Sequence, residues 1–148
     1  MPTGDTASRM AIVVSTYNSN ITGRLLEGAK ATLTEAGYAE RLVIVHVPGA
    51  WELPLAAQQL AARADVCGVI TLGAVIRGET THDQHINRAV STALMQLMMQ
   101  SGKPIGFGLL TCNSLEQAIH RAGGNVGNKG CETAEAVLAM LQLKVTEA

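Results

Sequence analysis

The chain has 148 residues, of which 47% are hydrophobic, so it is large and apolar enough to bury a core in a single domain. Its 11 basic and 12 acidic residues give a net charge of −1 without long runs of one sign, which argues against nucleic-acid binding and membrane attachment. Three widely spaced cysteines without a CxxC motif favour free thiols in a reducing cytoplasm over a disulfide framework or a zinc site. The polar start argues against a signal peptide. No apolar run is long enough for a transmembrane helix.

Four short apolar segments, rich in β-branched residues, predict buried strands. They follow a polar arm, residues 1–9, which we expect to be flexible, and they cover residues 10–14, 42–47, 66–72 and 104–111. Amphipathic helical patterns follow each strand, and a second helix follows the last one. These helices are predicted at about residues 20–36, from Pro54 to Asp65, from Thr80 to about Ser101, from Ser114 to Ala122, and beyond Gly130. The alternation predicts an α/β fold in which residues 10–148 form a single domain, a three-layer α/β/α sandwich with a four-stranded parallel sheet.

In parallel sheets ligands bind beyond the carboxyl ends of the strands, so the turns after the four strands should meet. Two of the four aromatic residues, Tyr17 and Trp51, lie in the turns after the first and second strands. They can flank a flat ring, or they can be hydrophobic plugs at the end of the sheet. Glu52 can accept hydrogen bonds from a heterocycle, or it can be a solvated acid favoured by the helix dipole.

The stretch GAVIRGETTHDQHINR, which begins at Gly73, joins the third strand to a long helix. Gly73 and Gly78 suit a tight turn that brings the backbone close to a ligand. Thr80 can cap the helix, with Asp83 completing a capping box, and the free N–H groups of the first turn then favour a phosphate. His82 can transfer protons near neutral pH. The plain alternative is a strand–turn–helix with a capping threonine and a surface histidine.

Other polar groups have less specific patterns. His82 and His85 are three residues apart, whereas zinc ligands on helices prefer an i, i+4 spacing, so we expect no metal. Arg121, just before a glycine-rich loop, suits bidentate recognition of a phosphate, although a lone arginine is usually a surface charge. Lys129 in GNKG lacks the full P-loop pattern, which argues against a nucleotide triphosphate site.

Three segments resemble the signature segments of the lumazine synthase family: VPGAWELP at 47–54, GAVIRGETTH at 73–82 and EQAIHRAGGNVGNKG at 116–130. STYN, at 15–18, resembles a fourth, and the similarity covers about residues 10–143 in order. The resemblance implies a flavodoxin-like fold and the penultimate step of riboflavin biosynthesis. In that step 5-amino-6-(D-ribitylamino)uracil condenses with 3,4-dihydroxy-2-butanone 4-phosphate, releasing phosphate and water.

The resemblance further implies a cytoplasmic transferase that needs no cofactor and no metal. Members of the family assemble as pentamers, and some as decamers or as icosahedral capsids of sixty subunits, with an active site shared between adjacent subunits. Riboflavin synthase is a further partner that the resemblance implies. The expected ligands are therefore two small molecules, and the expected macromolecular contacts are chiefly with other copies of the chain.

Matching positions also imply roles for individual residues. Tyr17 and Trp51 meet the uracil, and the ring or ribityl chain is contacted by Ala50, Glu52, Ala74, Val75 and Ile76. Glu79 and Thr80 match positions that hold the phosphate, chiefly through backbone N–H groups, and His82 matches the proton-transfer residue. Three residues match positions contributed from the neighbouring subunit's side: Phe107, near the end of the fourth strand, which packs on the uracil; Arg121, which contacts the phosphate; and Lys129.

The chain departs from the family pattern just after His82. Aromatic residues are common at the positions held here by Asp83 and His85, and Ala89 stands where an acid is common. Two alternatives therefore stay open. One is a non-catalytic shell protein of the same fold that binds lumazine or flavin. The other is an unrelated α/β enzyme that handles phosphosugars and would not need Tyr17 or Trp51.

Overall fold

The computed structural model describes residues 8–77, 82–124 and 127–143, with the backbone alone for His82 and Gly124. Its main strands are β1 Arg9–Ser15, β2 Leu42–Val47, β3 Val66–Ile76 and β4 Ile105–Cys112. They form one parallel sheet in the order β2-β1-β3-β4, which confirms the predicted four-stranded parallel sheet. Arg9, which the sequence assigned to the N-terminal arm, is the first residue of β1, and residues 1–7 lie outside the described part.

Helices follow every strand of the main sheet. Their bounds are α1 Ser19–Leu33, α2 Leu53–Ala61, α3 His82–Ser101, α4 Leu115–Arg121 and α5 Lys129–Gln142. A wider turn, Thr34–Tyr38, prolongs α1, and a short 3-10 turn, Ala50–Glu52, leads into α2. The glycine-rich segment, predicted as a loop, contains a short antiparallel pair, β5 Ala122–Gly124 and β6 Gly127–Asn128. Within the described ranges, no helix is both long and apolar enough to cross a membrane.

The sheet is covered on both faces, which confirms the three-layer sandwich. Met10, Ile12 and Val14 of β1 belong to the core formed with α1 and α5. Ala11 and Val13 belong to the core formed with α2 and α3. Both faces of β1 are therefore apolar, which explains why its sequence is a continuous apolar run without alternation.

Glycines allow α1 and α5 to pack closely against each other. A Cβ atom at Gly130 would collide with the carbonyl oxygen of Leu25, and one at Gly28 would collide with the side chain of Asn128. The Asn128 side chain also bonds to both helices. Its Nδ2 donates to an α1 carbonyl at 3.1 Å, and its Oδ1 accepts from the N–H of Cys131 at 3.1 Å. The start of α5 is therefore capped and tied to α1 by one residue.

Gly73 does not form the turn that the sequence predicts, because β3 continues through it to Ile76. A Cβ atom at Gly73 would lie 2.9 Å from the Leu109 Cδ1 atom and 3.2 Å from the Ser15 Oγ atom. Gly73 thus lies at a closely packed position within the sheet, where a Cβ atom would crowd neighbouring side chains, and not in a turn. Gly78, the other glycine of the predicted turn, lies outside the described residues.

Candidate functional site

A cavity of about 570 Å³ lies at the carboxyl edge of the sheet. Its wall comes from four parts of the chain: the turn after β1, the turn after β2, the end of β3 and the start of α3. The lining residues are Tyr17, Asn18, Gly49, Ala50, Trp51, Ala74, Val75, Ile76, Asp83 and Ile86. The sequence predicts that the turns after all four strands meet; the turns after β1 and β2 meet the end of β3 here, whereas no residue at the end of β4 is among the described lining residues. The cavity also brings together the predicted substrate-contact residues Tyr17, Ala50, Trp51, Ala74, Val75 and Ile76.

Hydrogen bonds join the turn after β1 to the turn after β2. The N–H of Thr16 donates to the Val47 carbonyl at 2.8 Å, and the N–H of Tyr17 donates to the Pro48 carbonyl at 2.9 Å. The hydroxyl of Thr16 also donates to the Pro48 carbonyl, at 3.3 Å. Tyr17 is 73% exposed and Trp51 is 62% exposed, so neither is the hydrophobic plug considered above. Both rings have open surface for a ligand.

Asn18 fixes the end of β3 beside this turn. Among the described non-glycine residues, it alone has a positive φ, with φ 62° and ψ 48°. β1 and β3 pair only as far as Val14 and Leu72, and beyond them the Asn18 Nδ2 donates to the Ala74 carbonyl at 2.9 Å. The side-chain amide thus takes the place of a strand neighbour. Sequence reasoning missed this residue, although asparagine between a strand and a helix is a known signal for the left-handed conformation.

Glu52 bonds to its own turn. Its Oε1 accepts a hydrogen bond from the N–H of Gly49 at 2.9 Å, and its own N–H donates to the Gly49 carbonyl at 3.1 Å. These two bonds close the turn that presents Ala50 and Trp51 to the cavity. Glu52 is therefore a structural acid of the turn and not a cavity-lining residue, and its contact with a heterocycle stays a prediction.

The start of α3 closes one side of the cavity. Asp83, in the first turn, is 6% exposed, and its Oδ1 has no hydrogen-bond partner among the described residues. The sequence suggested Asp83 only as the partner of Thr80 in a capping box, not as a residue of the cavity wall. Glu79, Thr80 and the side chain of His82 lie outside the described part, so the cap, the phosphate contacts and the proton-transfer role stay predictions.

Three predicted site residues lie apart from this cavity. Phe107 is the third residue of β4 and is 38% exposed. Its predicted place near the end of the strand is wrong, because β4 begins at Ile105 and its pairing with β3 continues beyond Phe107 to Cys112. Arg121 is the exposed last residue of α4, and Lys129 is the first residue of α5. The cavity of a single chain therefore contains only part of the predicted site.

The predicted capping box of α4 is half formed. The Ser114 Oγ accepts from the N–H of Gln117 at 3.2 Å, as the sequence pattern predicts. The Gln117 Oε1 accepts instead from the N–H of Asn113, at 2.8 Å. Both bonds fix the start of the helix that ends in Arg121, so they hold this arginine next to the β5–β6 pair.

The three cysteines are not part of the cavity lining. Cys67, Cys112 and Cys131 are free thiols, as predicted, and none of them is among the lining residues. In the ranges that the structure describes, no group of three or more histidine, cysteine, aspartate or glutamate side chains is placed to hold a metal ion.

The fold and the cavity define the class of the protein, an α/β sandwich with a small-molecule site beyond the carboxyl ends of its parallel strands. A family profile described as 6,7-dimethyl-8-ribityllumazine synthase matches residues 7–145. The chain belongs to the 6,7-dimethyl-8-ribityllumazine synthase family, and the resemblance found in the sequence is confirmed.

Individual relatives bear the same name. The 6,7-dimethyl-8-ribityllumazine synthase of Rhodopirellula baltica is 56% identical over 139 residues, which are 93% of this chain and 90% of the relative. The protein of that name from Thermus thermophilus is 46% identical over 136 residues, or 91% of this chain and 87% of its own length. The protein of that name from Pediococcus pentosaceus is 42% identical over 139 residues, which are 93% of this chain and 89% of the relative. The similarity thus extends over the cavity and both faces of the sheet.

Proposed function

We propose that the protein is an enzyme that makes 6,7-dimethyl-8-ribityllumazine. It condenses 5-amino-6-(D-ribitylamino)uracil with 3,4-dihydroxy-2-butanone 4-phosphate, releasing phosphate and water, at the penultimate step of riboflavin biosynthesis. One observation supports this most directly. The described parts of three segments that resemble family signatures, STYN, VPGAWELP and GAVIRGETTH, meet in one cavity of a chain whose family match spans residues 7–145. The proposed enzyme is a cytoplasmic transferase that uses no cofactor.

The uracil binds between the exposed aromatic residues. Tyr17 and Trp51 present open ring faces at the mouth of the cavity, and stacking a flat heterocycle on them removes apolar surface from water. The wall from Ala74 to Ile76, held by the Asn18 amide, contacts the ring or the ribityl chain. A rigid wall opposite aromatic faces orients a flat substrate before any chemistry occurs.

The butanone phosphate binds toward the start of α3. This helix is 20 residues long, so its first N–H groups and its positive end favour an anion. Glu79 and Thr80 come shortly before it in the sequence and hold the phosphate chiefly through their backbone N–H groups. Arg121 adds a guanidinium, whose planar donors match phosphate oxygens in a bidentate manner.

The reaction then proceeds by proton transfers between neighbouring groups. The amine of the uracil attacks the ketone, and an imine forms with loss of water. Phosphate is eliminated, the resulting enol tautomerises to a ketone, and the second nitrogen attacks this carbonyl and closes the ring with loss of a second water. We assign the proton transfers to His82, the first residue of α3, because an imidazole titrates near neutral pH. Binding both substrates in one cavity also accelerates the reaction, because it removes the entropy cost of their encounter.

Neighbouring subunits complete the site. Phe107, Arg121 and Lys129 do not line the cavity of their own chain, which supports a site shared between adjacent copies in a pentamer or a larger shell. Native mass measurement should therefore give a pentamer, a decamer or a sixty-subunit shell. An active monomer would contradict the shared site. Binding of riboflavin synthase by the assembly is tested in the same experiment by adding that enzyme.

A fluorescence assay tests the proposed reaction. Mixing the protein with both substrates should produce lumazine fluorescence together with one phosphate per product, and omission of either substrate should give neither. Binding of lumazine without turnover would instead identify a non-catalytic shell protein. Turnover of the phosphosugar alone would identify an unrelated enzyme of the same fold class.

A further inference from the structure

Asp83 is a buried acid in the first turn of α3. It is 6% exposed, and its Oδ1 has no hydrogen-bond partner among the described residues. Two other buried polar side chains are satisfied, because Thr71 donates to the Gly106 carbonyl at 2.6 Å and Thr133 donates to the Lys129 carbonyl at 2.7 Å. An unpartnered buried carboxylate oxygen destabilises the folded state, so its presence calls for a partner from outside the fold.

The position of Asp83 indicates where that partner comes from. It lines the cavity together with the apolar side chains of Ile86, Ala74, Val75 and Ile76. Among the ten described lining residues, Asp83 is the one with a charged side chain. A molecule that enters the cavity displaces water from this wall and comes within reach of the carboxylate.

The chemistry of a carboxylate narrows the choice of ligand. A carboxylate only accepts hydrogen bonds, so its partner must carry an O–H or N–H group. A phosphate in direct contact with the carboxylate would be repelled, so the phosphate bound by the N–H groups that precede α3 must lie away from the Asp83 side chain. Of the two proposed substrates, the uncharged ribitylaminouracil, with its several hydroxyl, amine and ring N–H donors, suits Asp83 better than the butanone phosphate, which has one hydroxyl and carries the repelled charge.

We propose, on the basis of the proposed function, that Asp83 is a substrate-binding residue specific for the ribitylaminouracil. Its carboxylate accepts a hydrogen bond from an O–H or N–H group of that substrate and selects against analogues that lack the donor. No described residue donates to the Asp83 Oδ1, so this acceptor is free to take a hydrogen bond from a donor of the substrate.

Two substitutions in the full chain test this proposal, Asp83→Ala and Asp83→Asn. The KM for the ribitylaminouracil should rise roughly tenfold or more in Asp83→Ala, the size expected for a hydrogen bond to a charged group. It should rise less in Asp83→Asn, which keeps an acceptor oxygen. The KM for the butanone phosphate should not change. The melting temperature of Asp83→Ala without ligand should be no lower than that of the wild type, because this variant loses a buried acceptor that has no partner among the described residues.

Gln84→Ala is the matched control, because Gln84 lies in the same turn of α3, is exposed and does not line the cavity. It should leave both KM values unchanged. A uracil analogue with an alkyl chain in place of the ribityl chain identifies the donor. If the wild type and Asp83→Ala use this analogue equally well, the donor is a ribityl hydroxyl. If the KM of Asp83→Ala for this analogue is still about tenfold that of the wild type, the donor is an N–H group of the uracil.

Three outcomes would overturn the proposal. They are an unchanged KM for the ribitylaminouracil, a parallel rise of both KM values, and a lower melting temperature, the last two being signs of a structural role. If the wild type makes no lumazine, the proposed function fails separately. Calorimetric binding of the ribitylaminouracil to the wild type and to Asp83→Ala then decides the role of Asp83, and equal affinity, or no binding to either, would overturn it.

Discussion

The contact between α1 and α5 and the cavity at the carboxyl edge are built in opposite ways. At the helix contact, Gly28 and Gly130 allow close packing, and the Asn128 side chain bonds to both helices. At the cavity, Trp51 is exposed and Asp83 is buried without a partner for its Oδ1 among the described residues. One region is closely packed and hydrogen-bonded, whereas the other contains groups that the described residues of the chain leave uncovered or without a partner.

This difference indicates that the α1–α5 contact serves mainly stability and the cavity mainly function. Closely packed, satisfied contacts stabilise the fold, whereas functional sites retain strained or unsatisfied groups that the rest of the fold must support. Asn18 contributes to both stability and function. Its left-handed backbone lies at the cavity, and its side chain holds the end of β3 through the hydrogen bond to the Ala74 carbonyl. Substitutions at the helix contact should therefore change stability most, and substitutions at the cavity should change activity at little cost in stability.

The largest effect is expected for Gly130→Ala. The added Cβ atom would collide with the Leu25 carbonyl oxygen, so α5 and α1 must move apart. Overpacking of this kind should lower the free energy of unfolding by about 3 kcal/mol. Urea unfolding followed by circular dichroism measures the loss.

Gly23→Ala is the control for this substitution. Gly23 lies within α1, and nothing lies within 4 Å of an added Cβ atom there. Because alanine favours the helix over glycine, this variant should be more stable by about 0.5–1 kcal/mol. Equal stability of the two variants would show that α1 and α5 do not need their close approach.

The next effect is expected at Asn18. Asn18→Ala removes the hydrogen bond to the Ala74 carbonyl and places alanine in a left-handed conformation, so it should cost about 2 kcal/mol of stability. Asn18→Gly removes the same hydrogen bond but tolerates the backbone, so it should cost about 1 kcal/mol. Urea unfolding ranks the two variants, and an inverted ranking would contradict the role assigned to the left-handed backbone.

Trp51→Ala should affect activity rather than stability. Because Trp51 is 62% exposed, its loss should change the free energy of unfolding by less than about 0.5 kcal/mol. Loss of the ring face should lower kcat/KM roughly tenfold, with the KM for the uracil substrate most affected. Trp51→Phe keeps an aromatic face and should retain most activity. Full activity of Trp51→Ala would favour the phosphosugar enzyme over the lumazine synthase.

The smallest effect is expected at a surface ion pair outside both regions. The side-chain hydrogen bond from Arg63 lowers the pKa of Asp65, through contacts of 3.0 and 2.8 Å. A lowered pKa stabilises the fold above the unfolded-state value of about 4, and this stabilisation is lost as the pH falls through the folded-state value.

Asp65→Asn should therefore lower the melting temperature slightly at pH 7, and this difference from the wild type should shrink toward pH 3. Both side chains are partly exposed, so the effect is small. Glu35→Gln, which changes an exposed acid, is the control. A difference in melting temperature that grows at low pH would contradict the lowered pKa of Asp65.

Much of the fold is readable from the sequence because strand and helix patterns are local. β2 was predicted with both of its ends, 42–47, since its apolar run is bounded by polar residues and by Pro48. Gly73 was misread, because glycine suits both a turn and a tight packing position. Only the neighbours that the fold brings to it, Leu109 and Ser15, distinguish the two.

The sequence by itself determined the parallel sheet, the meeting of the turns after the first two strands with the end of the third, and the aromatic pair at the cavity, Tyr17 and Trp51. Apolar periodicity and the rules of parallel sheets suffice for these features. The tertiary structure alone decided that Asn18 bonds to Ala74, 56 residues further along the chain, and that Asp83 is buried in the cavity wall. Such contacts depend on which distant segments become neighbours, and no local pattern of residues contains that information.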